Sequence, residues 1–299
     1  MRLKNGYHFQ KKYLRILFAI IDKIGVLLIS LFINKTYVEK IGKKKILLCK
    51  NDHLGDVALF LQVLPIIRKI FKADEIHLVV GSWAKELVIK NPYIDKVLVY
   101  DSFLLNRDKG FFKRIWRAVI TSCQIFVEMR KNRYDIGIDF RAYFPNMVPL
   151  LFLGRISWRV GYPTGGFGFL LSKQVIWRED ISEREHFVDL IKIFGEVFTE
   201  LNFNLDYLIN MDKTKQILTD INISENEKFV IIHPVGGTKT KMWKIESWKK
   251  VITFFVDKDI KILIIGSNDK KNIIQYLVNE KVINLTNKTD FSLLDIRGP

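Results

Sequence analysis

Cysteine is scarce in this sequence. Only Cys49 and Cys123 occur in 299 residues, both inside apolar runs and neither in a C-x-x-C pair. That leaves no disulfide framework and no thiolate metal site, and it fits a reducing compartment. Five histidines are scattered without ligand spacing, so no metal and no cofactor is expected. Acidic residues are also short: 32 Asp and Glu stand against 48 Lys and Arg, a formal net charge of +16. Such an excess suits an acidic partner, whether nucleic acid, an anionic membrane surface or a phosphorylated small molecule. A Lys-rich composition bias is the bland alternative. No helix-turn-helix or zinc-finger signature is present, so nucleic acid is not the expected partner. There is no G-x-G-x-x-G and no Walker G-x-x-x-x-G-K-[ST].

A clean membrane span is lacking as well. The apolar stretch 13–33 is interrupted by Arg15, Asp22 and Lys23, preceded by Arg2, Lys4, Lys11 and Lys12, and not followed by a small-residue cleavage site. It reads as an amphipathic helix over roughly residues 1–40. Two placements stay open: flat on a membrane surface, or packed on the domain that follows.

What is there, from residue 45 onward, is a β/α rhythm. Short apolar runs at 46–49, 76–80, 96–100 and 136–139 read as strands. Helical segments at 57–71, 82–90 and 111–132 lie between them, with Ser82 a plausible N-cap. This spacing predicts a parallel sheet with right-handed crossovers. The runs do not alternate apolar with polar, as strands covered on both faces do not. Gly161, Pro163, Gly165, Gly166 and Gly168 predict a loop near the end of this first domain, taken as 41–185. A helix at 186–201 opens a second, smaller domain, 186–299. There strands at 229–233, 261–265 and 282–285 frame helices at 246–255 and 269–278. Three strands are fewer than an open α/β sheet usually holds.

In such sheets ligands bind outside the carboxyl ends of the strands, which selects two loops. The first is Asn51-Asp52-His53-Leu54-Gly55-Asp56. Gly55 allows a tight turn, and Asp56 at the helix entry is either a catalytic carboxylate or simply an N-cap. The second, residues 234–243, carries Gly236, Gly237, Thr238, Lys239, Thr240, Lys241 and Trp243 before a helix. A glycine turn leading into a helix presents N–H groups to phosphate; the alternative is a solvated Lys-rich turn. Asp139 and Arg141, at the end of the fourth strand, either face a substrate or form an ordinary loop salt bridge.

The segments ILLCKNDHLGDVALFLQVLP (46–65), EIHLVVGSWAKELVIKNPYIDKV (75–97), FVIIHPVGGTKTKMWKIESWKKVI (229–252) and INLTNKTDFSLLDI (283–296) occur in this order. Together they resemble the motifs of the heptosyltransferases, glycosyltransferase family 9, over residues 44–296. The resemblance implies a GT-B-like α/β fold, two Rossmann-like parallel-sheet domains facing a cleft, here with the second incomplete. It implies a metal-independent, inverting transferase that moves a sugar, by default heptose from ADP-heptose, onto a lipopolysaccharide core or a lipid-linked acceptor. By that resemblance Asp56 is the general base, and Lys241 neutralises donor phosphate. Gly236, Gly237, Thr238 and Thr240 form the donor loop. The candidate acceptor contacts, chosen by their position at the strand exits, are Asn51, His53, Asp139 and Arg141. His186, in REHFVDL, reads as structural; Trp243 and Trp248 read as helix-packing residues, with Trp243 alternatively beside the donor. The expected location is the cytoplasm, peripheral to the inner face of the cytoplasmic membrane.

The family's pattern continues past residue 296 with an Asp-Ser/Thr-Gly-x-x-His motif, which Arg297-Gly298-Pro299 does not resemble. The expectation is therefore a C-terminally shortened chain. The competing reading is an inactive remnant that binds acidic glycolipid or membrane without catalysis.

Overall fold

The computed structural model describes residues 6–9, 11–30, 44–72, 74–106, 110–195, 211–224, 227–236, 242–266, 274–278 and 281–286. The first sheet has six strands, all parallel: β1 (Lys45–Cys49), β2 (Glu75–Val80), β3 (Lys96–Val99), β4 (Ile136–Asp139), β5 (Trp158–Gly161) and β6 (Lys173–Gln174). Their spatial order is β3-β2-β1-β4-β5-β6, which places a topological switch point between β1 and β4. Strands β1 to β4 match the apolar runs in the sequence. β5 and β6 lie where a loop is expected: they are short and Gly-punctuated, and β5 carries a buried Arg159. Its guanidinium is satisfied by backbone carbonyls, including Leu170 O at 2.6 Å, so no apolar run announces the strand.

Helices cover both faces. On one side α5 (Phe111–Asn132) and α6 (Val148–Leu153) pack Ile125, Met129 and Leu151 against Leu47, Cys49 and Val79. On the other, α2 (Leu54–Phe60) and α7 (Glu183–Ile191) close on each other through Phe60, Phe140 and Phe187, with ring centroids 4.6–6.0 Å apart. The single helix expected over 57–71 is instead α2, a 3-10 turn (Leu61–Val63) and α3 (Leu64–Ile70). Pro65 lacks an N–H and crowds the carbonyl one turn back, so it starts a helix rather than continuing one. The expected N-cap at Ser82 is occupied by Gly81; the Ser82 N–H donates to Asp101 Oδ1 at 2.7 Å, and the α-helix that follows is only Lys85–Val88 (α4).

The N-terminal helix α1 (Lys12–Ser30) packs on this same unit. Gly25 lets it approach closely: a Cβ there would stand 2.4 Å from the Phe169 ring. Phe18 is buried against Phe9 and Phe167. The opposite face leaves Ile16, Ile20, Ile24 and Leu27 exposed. No described helix is long and apolar enough to cross a membrane.

The chain divides into two units, Met1–Asn204 and Leu205–Pro299. The divide expected at 185/186 falls inside α7. A capping box starts that helix earlier, with Ser182 Oγ accepting from the Glu185 N–H and Glu185 accepting from the Ser182 N–H. In the second unit, β7 (Phe229–Ile232), β8 (Lys261–Ile264) and β9 (Val282–Asn284) form a parallel sheet in that order. Along β8, Ile262 and Ile264 face the cluster that includes Ile252 of α9 (Ile245–Val256), while Leu263 faces Ile221 and Ile223, which follow α8 (Met211–Asp220). Residues 269–273 of the helix expected at 269–278 lie outside the described residues, and of the rest only Ile274 is helical, with a turn after it.

Candidate active site

At the switch point β1 and β4 are neighbours, with Cys49 opposite Asp139. Their exits diverge, and polar side chains fill the space between them. Lys50, directly after β1, is fully buried. Its Nζ lies 3.1 Å from Asp52 Oδ2 and 3.6 Å from Glu183 Oε1, over the Phe187 ring at 4.7 Å. Arg141, from the loop after β4, donates through Nη1 to Asp52 Oδ1. The His53 N–H donates to the same oxygen at 3.0 Å, and Trp83 Nε1–H donates to the Asp52 carbonyl at 2.8 Å. A buried carboxylate persists only when paired and hydrogen-bonded, and Asp52 is paired on both oxygens. Burial works to raise its pKa, but Lys50 and Arg141 together hold it below the ordinary carboxylate value.

Asp56 occupies the first turn of α2, whose N-cap is His53 with no side-chain cap bond. The capping explanation for Asp56 is therefore removed. Its half-buried carboxyl is pushed above the usual value by burial, then by the charge of Asp52 and a hydrogen bond to it; Lys50 and His53 pull the other way. Glu183 is raised too, by burial first and then by Asp52 and Asp56, against Lys50. The result is one held anion, Asp52, between two cations, with two more basic carboxyls beside it.

Asp139 and Arg141 do not form the loop salt bridge considered from sequence. Asp139 accepts the backbone N–H groups of Arg141 (3.1 Å) and Met147 (2.6 Å), shaping the loop after β4. Burial raises its carboxyl to about 6. It is a buried support rather than a surface that an acceptor could touch. Arg141 instead reaches across to Asp52. Asn51 is buried beside Lys50, and Asn51 Oδ1 and Arg141 Nε have no hydrogen-bond partner among the described residues. Buried polar atoms in that state suit a bound ligand. His53 stands half-buried at the mouth of the loop.

The residues that sequence reasoning passed over are Lys50, Asp52 and Glu183. The signal was present: a lysine and an aspartate continue directly from an apolar strand, and Ser182-x-x-Glu185 marks a helix start beside Glu183. Their partnership with Arg141 was not visible, because 89 residues separate it from Asp52.

In the second unit, Gly236 follows β7 at the carboxyl edge of the sheet. There a Cβ on Gly266 would stand 2.9 Å from Val235 and 3.6 Å from Thr286, so the exits of β7, β8 and β9 lie close together. Gly237, Thr238, Thr240 and Lys241 lie outside the described residues. Trp243 is 61% exposed, its ring 5.1 Å from that of Trp248, which packs on the α9 core. Trp243 is therefore an exposed residue, whereas Trp248 is partly buried against the core.

Comparison with known proteins agrees with this architecture. Residues 123–295 match glycosyltransferase family 9 (heptosyltransferase). Among solved structures, the chain is similar to a family 9 glycosyltransferase from Veillonella parvula, with TM-score 0.67 and 18% identity over 83% of this chain and 70% of that one. It is similar to the E. coli heptosyltransferase WaaC with ADP (TM-score 0.61, 15% identity, 83% and 75% covered). It is also similar to E. coli ADP-heptose lipopolysaccharide heptosyltransferase II (0.60, 13%, 82% and 73%). At these identities the structural likeness concerns the fold, and both parallel sheets match a GT-B-like α/β architecture. No curated protein matches the chain by sequence.

Proposed function

The chain belongs to glycosyltransferase family 9, and from that premise we propose that it transfers a sugar with inversion, Asp56 acting as general base. The donor on this reading is a nucleoside-diphosphate sugar, ADP-heptose, and the acceptor a lipopolysaccharide core or related envelope glycan. The observation that carries it is the environment of Asp56: a half-buried carboxyl at the switch point, made more basic by burial and by the neighbouring Asp52.

Inversion needs one group to take the acceptor hydroxyl proton as its oxygen attacks the anomeric carbon. The sugar–phosphate bond breaks on the opposite face, and its electrons pass to the nucleoside diphosphate. That leaving group needs positive charge and aimed N–H groups. By family resemblance Lys241 and the loop of Gly236, Gly237, Thr238 and Thr240 supply them, without a metal. On this reading Asn51, His53 and Arg141 hold the acceptor, and Lys50 keeps Asp52 ionised beside the base.

The test is turnover of ADP-heptose with a truncated-core acceptor. Asp56→Asn should lower kcat by about 10²–10⁴-fold with folding intact. Absence of turnover by the parent protein, or an unchanged Asp56→Asn, would remove the mechanism.

A lipid-linked acceptor requires the enzyme to work at a membrane. We infer peripheral attachment to the inner face of the cytoplasmic membrane through the free face of α1. The exposed stripe Phe112, Trp116, Val119 and Val127 of α5, interspersed with Lys113, Arg130 and Lys131, supports the same reading.

A further inference from the structure

Beside the switch-point cluster lies a cavity of about 460 Å³ that the proposed chemistry does not use. It is lined by the N-terminal arm (Tyr7, His8, Phe9), by Tyr143 from the loop after β4, and by Trp177 and His186. The arm is fixed in place. His8 N–H donates to Thr164 O at 2.9 Å, Tyr7 Oη–H donates to Asp22 Oδ2 at 2.6 Å, and Phe9 stacks on Phe18 with centroids 4.5 Å apart. The His8 ring then stands 5.0 Å from Tyr143 and 4.9 Å edge-on from Trp177, and Trp177 stacks on His186 at 3.4 Å.

His186 is only 3% exposed. Tyr162 Oη donates to its carbonyl at 2.7 Å, yet its Nδ1 has no hydrogen-bond partner among the described residues, and neither has Nδ1 of His8. Both Nδ1 atoms are sealed from solvent, and it is the rings of His8 and His186 that, with Tyr143 and Trp177, wall the cavity. Burial lowers both histidine pKa values, so each ring is neutral near pH 7 and offers no cation. The rim is charge-balanced. Arg178 is committed to Asp189 by two bonds of 2.8 Å, Arg15 Nε donates to Phe9 O, and Glu179 and Asp180 sit beside them. An anion is therefore poorly served. A neutral polyhydroxylated ring, with C–H faces for the aromatic wall and hydroxyls for the polar rim, is well served. The volume falls in the roughly 300–1,000 Å³ range of small-molecule sites.

The cavity also begins where the cluster ends. On α7, Glu183 faces Lys50 and His186, one turn on, lines the cavity. Tyr143, two residues after Arg141, feels the charges of Glu183, Arg141, Asp52 and Asp56. The geometry points to a saccharide subsite walled by His8, Tyr143, Trp177 and His186 that holds a neutral sugar of the acceptor glycan next to its reacting residue. The inference rests on the reading of Asp56 as base for its meaning, but its binding test does not.

The test is saturation-transfer NMR on the full chain with two probes, delipidated core oligosaccharide and adenosine, comparing the parent protein with His8→Ala and Tyr143→Ala. Transfer to sugar ring protons is expected in the parent and reduced about five- to tenfold in each variant, the loss of one aromatic contact. In turnover, the same variants should raise the acceptor KM by that factor and leave kcat and donor KM within about twofold. Equal sugar transfer in parent and variants, or transfer to adenosine in place of the saccharide, overturns the subsite. Should Asp56→Asn keep full activity while His8→Ala still lowers saturation transfer to the saccharide by that factor, the base assignment fails and the subsite stands.

Discussion

Arg141 donates to Asp52 from the far side of the switch point, closing the gap between the loops that leave β1 and β4. With Lys50 on the other Asp52 oxygen at 3.1 Å, one buried carboxylate ties the two exits together. Truncating either cation leaves Asp52 under-compensated in a site where it is 6% exposed. Lys50→Met and Arg141→Met are each expected to cost about 3–5 kcal/mol, the usual result of breaking a buried pair from one side. Urea denaturation followed by circular dichroism would measure this; midpoints unchanged in both variants would contradict the pairing.

Asp52 also sets the basicity of its neighbour. Asp56 is raised by burial first and by Asp52 second. In Asp52→Asn the repulsive charge is gone while Lys50 and Arg141 remain, so the Asp56 pKa falls. The base then ionises at lower pH, and the acidic limb of the kcat/KM profile moves down in pH. A limb that stays in place, or moves up, would show that the two carboxyls are not linked.

A third expectation concerns Asp139. Its folded pKa is raised from 3.8 to about 6. The native state therefore holds a proton that the unfolded chain has released between those values. The stabilisation is complete below pH 3.8 and lost as pH rises through about 6, a difference of about 3 kcal/mol. Asp139→Asn cannot titrate and should flatten this part of the stability profile relative to the parent. Parallel profiles for the two proteins across pH 4–7 would rule it out.

The free face of α1 predicts lipid binding. Ile16→Glu and Ile20→Glu place charge on residues 53% and 50% exposed, away from the packed Phe18. Each should weaken cosedimentation with vesicles containing anionic phospholipid by about tenfold or more, since a buried isoleucine contributes roughly 1.5–3 kcal/mol. Parent protein that stays in the supernatant with such vesicles at low salt would defeat the membrane reading.

Much of the scaffold was legible because it follows from local chemistry. The runs at Ile46, Ile76 and Ile136 are strands buried on both faces, the run at Val97 is an edge strand with only Leu98 buried, and the amphipathic 111–132 segment is α5 with the same bounds. β5 and β6 were not legible. Arg159 looks unsuited to a core strand until the carbonyls of Ile156 and Leu170 are seen around its guanidinium. In the site, Asp56 stood out by its position after a strand and a glycine. Lys50 and Glu183 did not, since a lysine or glutamate on its own reads as solvated surface.

By itself, the sequence determined the β/α alternation, the parallel sense of the strands and the two glycine-bearing loops at their exits. Each depends on residues a few positions apart. Tertiary structure alone decided the charge state of the switch point. Whether Asp52 is an anion and Asp56 a stronger base depends on Lys50, Arg141 and burial acting together. Those groups converge only when β1, β4 and α7 are side by side, and the Coulomb and desolvation energies involved depend on distance in space, not on separation along the chain.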